Sequence, residues 1–195
     1  MLKEIILTVG AYLVGSVPTG LLLAKLIGGV DIRNAGSGNI GATNVYRTLG
    51  RKVGIITLVG DCLKGLLPVV FARQMGLPVE WVAVIGAAAF LGHVYTIFLG
   101  FKGGKGVATA LGVFLALAPL AVLGALAVFI IVILKWRYVS LASISAAAAM
   151  PVFIILQGNH PSVVAMTLMI AALVIYKHRE NIGRLRDGTE SKFKA

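Results

Sequence analysis

The chain has 195 residues, of which 58% are hydrophobic and 13% charged, with a mean hydropathy of +0.96. That is too apolar for one soluble core under a wettable surface, so the chain reads as an integral membrane protein. Its net charge of +11 suits anionic lipid headgroups or phosphorylated small molecules; nucleic acid is excluded as a partner because the cations lie in short segments between apolar runs, and the single cysteine, Cys62, excludes an internal disulfide.

The first apolar run, 5–27, is long for a signal-peptide core and has no clear small-x-small cleavage site after it, so it is expected to be a retained first span, kinked at Pro18 and Gly20. The polar segment 31–52 follows, with Gly36-Ser37-Gly38-Asn39-Ile40-Gly41-Ala42-Thr43-Asn44-Val45-Tyr46-Arg47. It contains a formal G-x-G-x-x-G, but residues 32–35 make a poor buried strand and no βαβ unit fits between two spans, which removes the dinucleotide reading. What survives is glycines for close backbone approach, Ser37, Asn39, Thr43 and Asn44 as donors, and Arg47 as a fork for phosphate. A helix over 42–48 would put Thr43 and Arg47 on one face. Taken alone, the segment reads better as a solvated turn of small polar residues.

The next run, 53–71, carries Asp61 and Lys64 at i,i+3, a neutralising pair whose better reading is a structural fastener. Run 81–100 contains His93, read as a helix-packing hydrogen bonder, and ends at Phe101-Lys102-Gly103-Gly104-Lys105-Gly106. A glycine turn there is expected to expose N–H groups on which an anion docks, with Lys102 and Lys105 supplying charge. It is no Walker A loop, since Gly106 follows Lys105 where Ser or Thr would hold Mg²⁺. Two snorkelling lysines on a helix-breaking turn are the alternative.

Run 107–134 exceeds the ~20 residues that cross a typical bilayer and has Ala118-Pro119 near its middle. Runs 139–156 and 163–176 complete the set. The last continues into Lys177-His178-Arg179-Glu180-Asn181-Ile182-Gly183-Arg184-Leu185-Arg186, where helical spacing puts His178, Asn181 and Leu185 on one stripe. A basic stop-transfer tail is the alternative, and by charge alone the stronger one.

Charge asymmetry decides the span count. If Pro119 marks a turn, one side holds Arg33, Arg47, Arg51, Lys52, Lys102, Lys105, Lys135, Arg137, Lys177, Arg179, Arg184, Arg186, Lys192 and Lys194, and the other only Lys3 and Arg73. If 107–134 is one span, the asymmetry collapses. The expectation is therefore an all-α, polytopic protein of about seven transmembrane helices in a single domain over 1–195, N-terminus outside and C-terminus cytoplasmic, with helices four and five short. Five or six spans is the alternative. Segments 31–52, 102–106 and 178–190 would then share the cytoplasmic face and build one site, while loops 73–80 and 157–162 face out.

Together, Ser37-Gly38-Asn39-Ile40-Gly41-Ala42-Thr43-Asn44, Phe101-Lys102-Gly103-Gly104-Lys105-Gly106-Val107-Ala108-Thr109 and His178-Arg179-Glu180-Asn181-Ile182-Gly183-Arg184-Leu185 resemble the acyl-phosphate-dependent glycerol-3-phosphate acyltransferases of bacterial membranes, as does Asp61-Cys62-Leu63-Lys64-Gly65. The resemblance covers essentially the whole chain. It implies an enzyme of the cytoplasmic (inner) membrane that moves a fatty acyl group from acyl phosphate to the C1 hydroxyl of glycerol 3-phosphate, giving 1-acylglycerol 3-phosphate and inorganic phosphate in phospholipid synthesis. No histidine has an acid five positions on: Phe98 follows His93, Ala165 follows His160 and Gly183 follows His178, so thioester donors should be poor.

On that reading Ser37, Gly38, Asn39 and Lys105 meet the acyl-phosphate headgroup, with backbone N–H groups, those of Gly103 and Gly104 included, facing the oxyanion. Thr43 and Asn44 support binding. Arg47, Lys105 and Asn181 clamp glycerol 3-phosphate, with Lys102 a weaker contributor. His178 is the candidate general base, the departing phosphate the alternative proton acceptor. The catalytic set is thus His178, Lys105 and Asn181. No metal or cofactor is expected, the partners are the two substrates and the bilayer, and the chain is expected to act as a monomer. A transporter of organic phosphates is the competing class; it would place polar groups near the midplane and show internal repeats, and none is found.

Overall fold

The structure is a computed structural model that describes residues 1–193; Lys194, counted above among the inner-face cations, lies outside them. Every regular element among the described residues is helical. The first apolar run forms α1 (Leu2–Ser16) and α2 (Thr19–Gly28), separated at Val17-Pro18, where proline has no N–H to carry the ladder forward. Then come α3 (Ala42–Leu49), α4 (Arg51–Gln74), α5 (Val79–Val94), α6 (Val107–Leu117), α7 (Pro119–Trp136), α8 (Val139–Leu156), α9 (Pro161–Lys177) and α10 (Arg179–Arg186).

The break expected at Ala118-Pro119 is present, because Ala118 is extended away from helical geometry and Pro119 opens the next helix. The two halves differ from expectation in length. α6 has 11 residues, about 16 Å, too short to cross hydrocarbon alone, whereas α7, expected to be short, has 18 and reaches about 27 Å. Among the described residues, five stretches are long and apolar enough to span: Leu2–Gly28, Arg51–Gln74, Val79–Leu99, Pro119–Trp136 and Val139–Leu156. A sixth appears if Pro161–Lys177 and Arg179–Arg186, bent by 52°, count together.

The chain forms two compact units, Met1–Leu117 and Ala118–Ala195. In the first, α1 packs on α5, and α4 on α6. Lipid offers little hydrophobic drive for helix pairing, so these contacts rely on close backbone approach at small residues. A Cβ at Gly65 would collide with the Thr109 carbonyl and one at Gly112 with the Cys62 carbonyl, so glycine alone permits the α4–α6 distance. Polar latches add direction. Tyr12 donates to the Tyr95 carbonyl (2.6 Å), Thr96 to that of Ser16 (2.5 Å) and Arg73 to that of Ala116.

Asp61 and Lys64 form the expected neutralising pair: Lys64 Nζ lies 2.8 Å from Asp61 Oδ1 and donates to the Val17 carbonyl (2.8 Å) at the end of α1, where a cation complements the helix dipole. In the second unit α8 packs on α7 and on α9, and Gly124 sits against the Phe153 ring.

Candidate active site

The first loop is held from beneath by apolar side chains. Ile32, Ile40 and Val45 are buried with Leu21, Ala24 and Val53, and Leu99, from the turn that precedes the lysine loop, packs on the same cluster. Both loops of the first unit therefore rest on one patch of core. Above it, Asn44 organises the chain. Its Oδ1 accepts from Ser37 N (2.8 Å), and its Nδ2 donates to the carbonyls of Asn39 (2.8 Å), Ala35 (2.9 Å) and Ile32 (3.2 Å). At 2% exposed, the amide is a loop former and not the ligand donor expected of it. The left-handed turns it fastens need glycine at Gly36 (φ 58°) and Gly38 (φ 69°).

The backbone N–H groups expected to face an anion are engaged inside the loop. Ser37 N–H goes to Asn44, Gly38 N donates to Ala35 O (3.0 Å), and Gly41 N to Asn39 Oδ1 (2.9 Å). What this segment presents outward is the exposed Ser37 and Gly38, the half-buried Asn39 and Thr43, and the exposed Arg47 one helical turn beyond Thr43 on α3. Arg33 is engaged elsewhere: its guanidinium closes on Asp31 (Nε–Oδ1 2.9 Å, Nη2–Oδ2 2.5 Å) and holds that carboxyl far below the usual carboxylate range.

The lysine loop corrects the same expectation. Gly103 N donates to Val94 O (3.2 Å) and Gly104 N to His93 O (3.1 Å), so these two groups close the turn onto the end of α5. A Cβ at Gly104 would strike the His93 ring, and one at Gly103 the His93 carbonyl; both glycines are required by proximity. His93 is accordingly a packing residue, buried with Nδ1 3.7 Å from Asp61 Oδ1. Lys102 is exposed and Lys105 half-buried, and α6 opens two residues after Lys105. The first-turn N–H groups of α6, at the positive end of its dipole, follow closely on Lys105 in the chain.

In the second unit, His178 occupies the corner between α9 and α10. Its Nδ1 is 2.7 Å from the Val174 carbonyl, and a carbonyl only accepts, so Nδ1 carries the proton. In the neutral ring Nε2 is then the basic nitrogen, the tautomer a general base requires. Asn181, one turn on, donates through Nδ2 to Glu190 Oε1 (2.7 Å). Ser140 Oγ gives the same oxygen a second bond, and Arg184 Nε binds Oε2, each at 2.7 Å. Burial alone would raise the Glu190 carboxyl, but these three donors outweigh it and hold it below its ordinary value. Sequence reasoning did not single out Glu190, whose partner Ser140 is fifty residues away. For Asn44 a signal existed, an amide in the first turn of a helix behind a glycine-rich loop.

The fold is that of a helical membrane protein whose first unit carries Arg47, Lys102 and Lys105 on or beside glycine-turned loops and whose second unit carries a tautomer-fixed histidine. The family model described as glycerol-3-phosphate acyltransferase matches residues 5–188, and the chain belongs to that family of integral membrane acyltransferases. It is 69% identical over 195 residues to the glycerol-3-phosphate acyltransferase of Geobacter sulfurreducens, covering 100% of both chains. Two crystal structures of PlsY (YgiH), an integral membrane glycerol 3-phosphate acyltransferase, are similar throughout. The glycerol 3-phosphate form has TM-score 0.94 at 47% identity and the lysophosphatidic acid form 0.92 at 46%; each match covers 98% of this chain and 96% of the other. An acyltransferase family sets the transporter alternative aside.

Proposed function

We propose that the chain transfers a fatty acyl group from acyl phosphate to the C1 hydroxyl of glycerol 3-phosphate, releasing 1-acylglycerol 3-phosphate and inorganic phosphate. The observation that carries the donor assignment is the site's economy. No histidine has an acid five positions on, and an acyl phosphate, a mixed anhydride, is already activated, so the protein need only align a hydroxyl with a carbonyl and hold two phosphates against their repulsion. The related structures, captured in glycerol 3-phosphate and lysophosphatidic acid forms, support the acceptor and the product.

The C1 oxygen attacks the acyl carbon, the acyl C–O bond breaks, and phosphate leaves with the bonding pair. Ser37, Asn39, Lys105 and the first-turn N–H groups of α6 hold the acyl-phosphate headgroup and the developing oxyanion, with Gly38 allowing close approach. Arg47, on the same face as Thr43, binds the phosphate of glycerol 3-phosphate bidentately, and Lys102 adds charge at the periphery. His178 Nε2 takes the hydroxyl proton, and Asn181 binds the glycerol portion. No cofactor takes part.

The charge distribution supports an N-terminus outside and segments 31–52, 102–106 and 178–190 on the cytoplasmic face of a bacterial inner membrane, where water-soluble glycerol 3-phosphate meets a lipid-dissolved donor. Palmitoyl phosphate labelled with ¹⁸O at the bridging oxygen tests the reaction. The label should appear in inorganic phosphate; label retained in free fatty acid would show attack at phosphorus and contradict the mechanism.

A further inference from the structure

Glu190 lies beyond residues 5–188 of the family match, yet its carboxylate is among the most heavily bonded groups of the second unit. It is 8% exposed and joins two helices through three residues: Ser140 in the first turn of α8, and Asn181 and Arg184 on α10. The N-terminal end of the α8 dipole adds to its stabilisation. The surrounding segment is tied down at both ends. Thr189 N and Glu190 N donate to the Arg184 carbonyl (2.8 and 3.1 Å), Phe193 N donates to Arg137 O (2.6 Å), and the Lys192 ammonium stands over the Tyr138 ring at 5.9 Å. Residues 189–193 thus form a strap from the end of α10 to the turn between α7 and α8.

The strap has a chemical consequence for Asn181. Asn181 is the buried residue of α10, at 6% exposed, and its carboxamide could present either end to a neighbour, whereas a carboxylate only accepts. The bond to Glu190 therefore fixes Nδ2 toward the carboxylate and turns Oδ1 away from it. We propose that Glu190 is a positioning residue for the acyl acceptor: it holds the Asn181 carboxamide so that Oδ1 accepts from a hydroxyl of glycerol 3-phosphate. This rests on the reading above that Asn181 binds that substrate.

The test is steady-state kinetics of purified full-length protein in lipidic medium, with palmitoyl phosphate and glycerol 3-phosphate varied in turn and melting followed on the same samples. Glu190→Ala should lower kcat/KM for glycerol 3-phosphate by about 10- to 100-fold, the range typical of lost supporting hydrogen bonds around a ligand-holding side chain, with KM for palmitoyl phosphate unchanged. Glu190→Gln keeps an acceptor oxygen for Ser140 and Asn181 and should recover most of the loss. On an Asn181→Ala background, Glu190→Ala should cost nothing further. If Glu190→Ala does not fold, Glu190→Asp, too short to reach Ser140 and Asn181 together, should show the same selective KM rise.

Additive losses in the double variant, or losses that fall equally on both substrates, would overturn the positioning role while leaving the acyltransferase reading intact. A wild-type KM in Glu190→Asp would do the same. An Asn181→Ala protein with unchanged kinetics would instead remove the Asn181 assignment, and the inference with it.

Discussion

Replacing Asn44 separates a loop former from a ligand donor, because only the first role costs stability as well as turnover. Its amide makes four hydrogen bonds within one loop, and a net value of about 1 kcal/mol each sets a ceiling of about 4 kcal/mol. Ala35 and Asn39 are only half-buried, so water can replace part of what they lose, while the fully buried Ile32 carbonyl keeps only its bond from Ala35 N–H (3.3 Å). About 2–3 kcal/mol is the resulting estimate for Asn44→Ala, equivalent to about 30- to 140-fold in the population of the ordered loop and a ceiling on the fall in kcat/KM. Asn44→Asp should be worse at neutral pH despite its matching shape: one oxygen still accepts from Ser37 N–H, but the other faces three carbonyl oxygens. The assay is phosphate release from palmitoyl phosphate with glycerol 3-phosphate varied. Melting is followed on the same samples, and an Asp variant that melts like wild type would refute the loop-forming account, since a carboxylate in place of a ligand donor would repel the phosphate substrate without loosening the loop.

His178→Ala should reduce kcat by about 10²- to 10⁴-fold if Nε2 is the general base, with binding of both substrates preserved; a variant keeping most of its kcat would assign the proton to the departing phosphate. Lys64→Met strands the Asp61 carboxylate in a buried site and should cost about 3–5 kcal/mol, whereas Asp61→Asn/Lys64→Met should be far milder, so thermal melting that ranks the double variant below the single would contradict the fastener role. The depressed Glu190 carboxyl supplies stability that is fully present above its unfolded pKa, about 4.3, and is lost as pH falls through the lower folded value. Melting temperatures of wild type and Glu190→Gln should therefore differ near neutrality and converge in acid, and a difference that widens toward acid would show that the sign is wrong.

The sequence was informative wherever the physics is local. Pro119 ends α6 because a proline and the residue before it cannot continue a helix, and Asp61 and Lys64 meet because i,i+3 positions on α4 must. The three polar motifs were legible as breaks between apolar helices, and the structure places each of them outside the long helices, in loops or in the short helices α3 and α10. The accounting of N–H groups was not. Gly103 and Gly104 donate to Val94 and His93, and nothing in a glycine-rich string says whether its donors face a ligand or a neighbouring helix end. The same limit turned Asn44, whose bonds run back to Ile32, into an expected ligand donor, and hid Glu190, whose partner on α8 becomes a neighbour only once the helices pack. The length of α7 was misjudged because the break sits off-centre in its apolar run.

The most direct measurement is conversion of labelled glycerol 3-phosphate by purified protein in lipidic medium, offering palmitoyl phosphate or palmitoyl-CoA with EDTA present. The account predicts labelled lysophosphatidic acid from palmitoyl phosphate alone, undiminished by the chelator. Product from palmitoyl-CoA at a comparable rate, or none from palmitoyl phosphate, would contradict it.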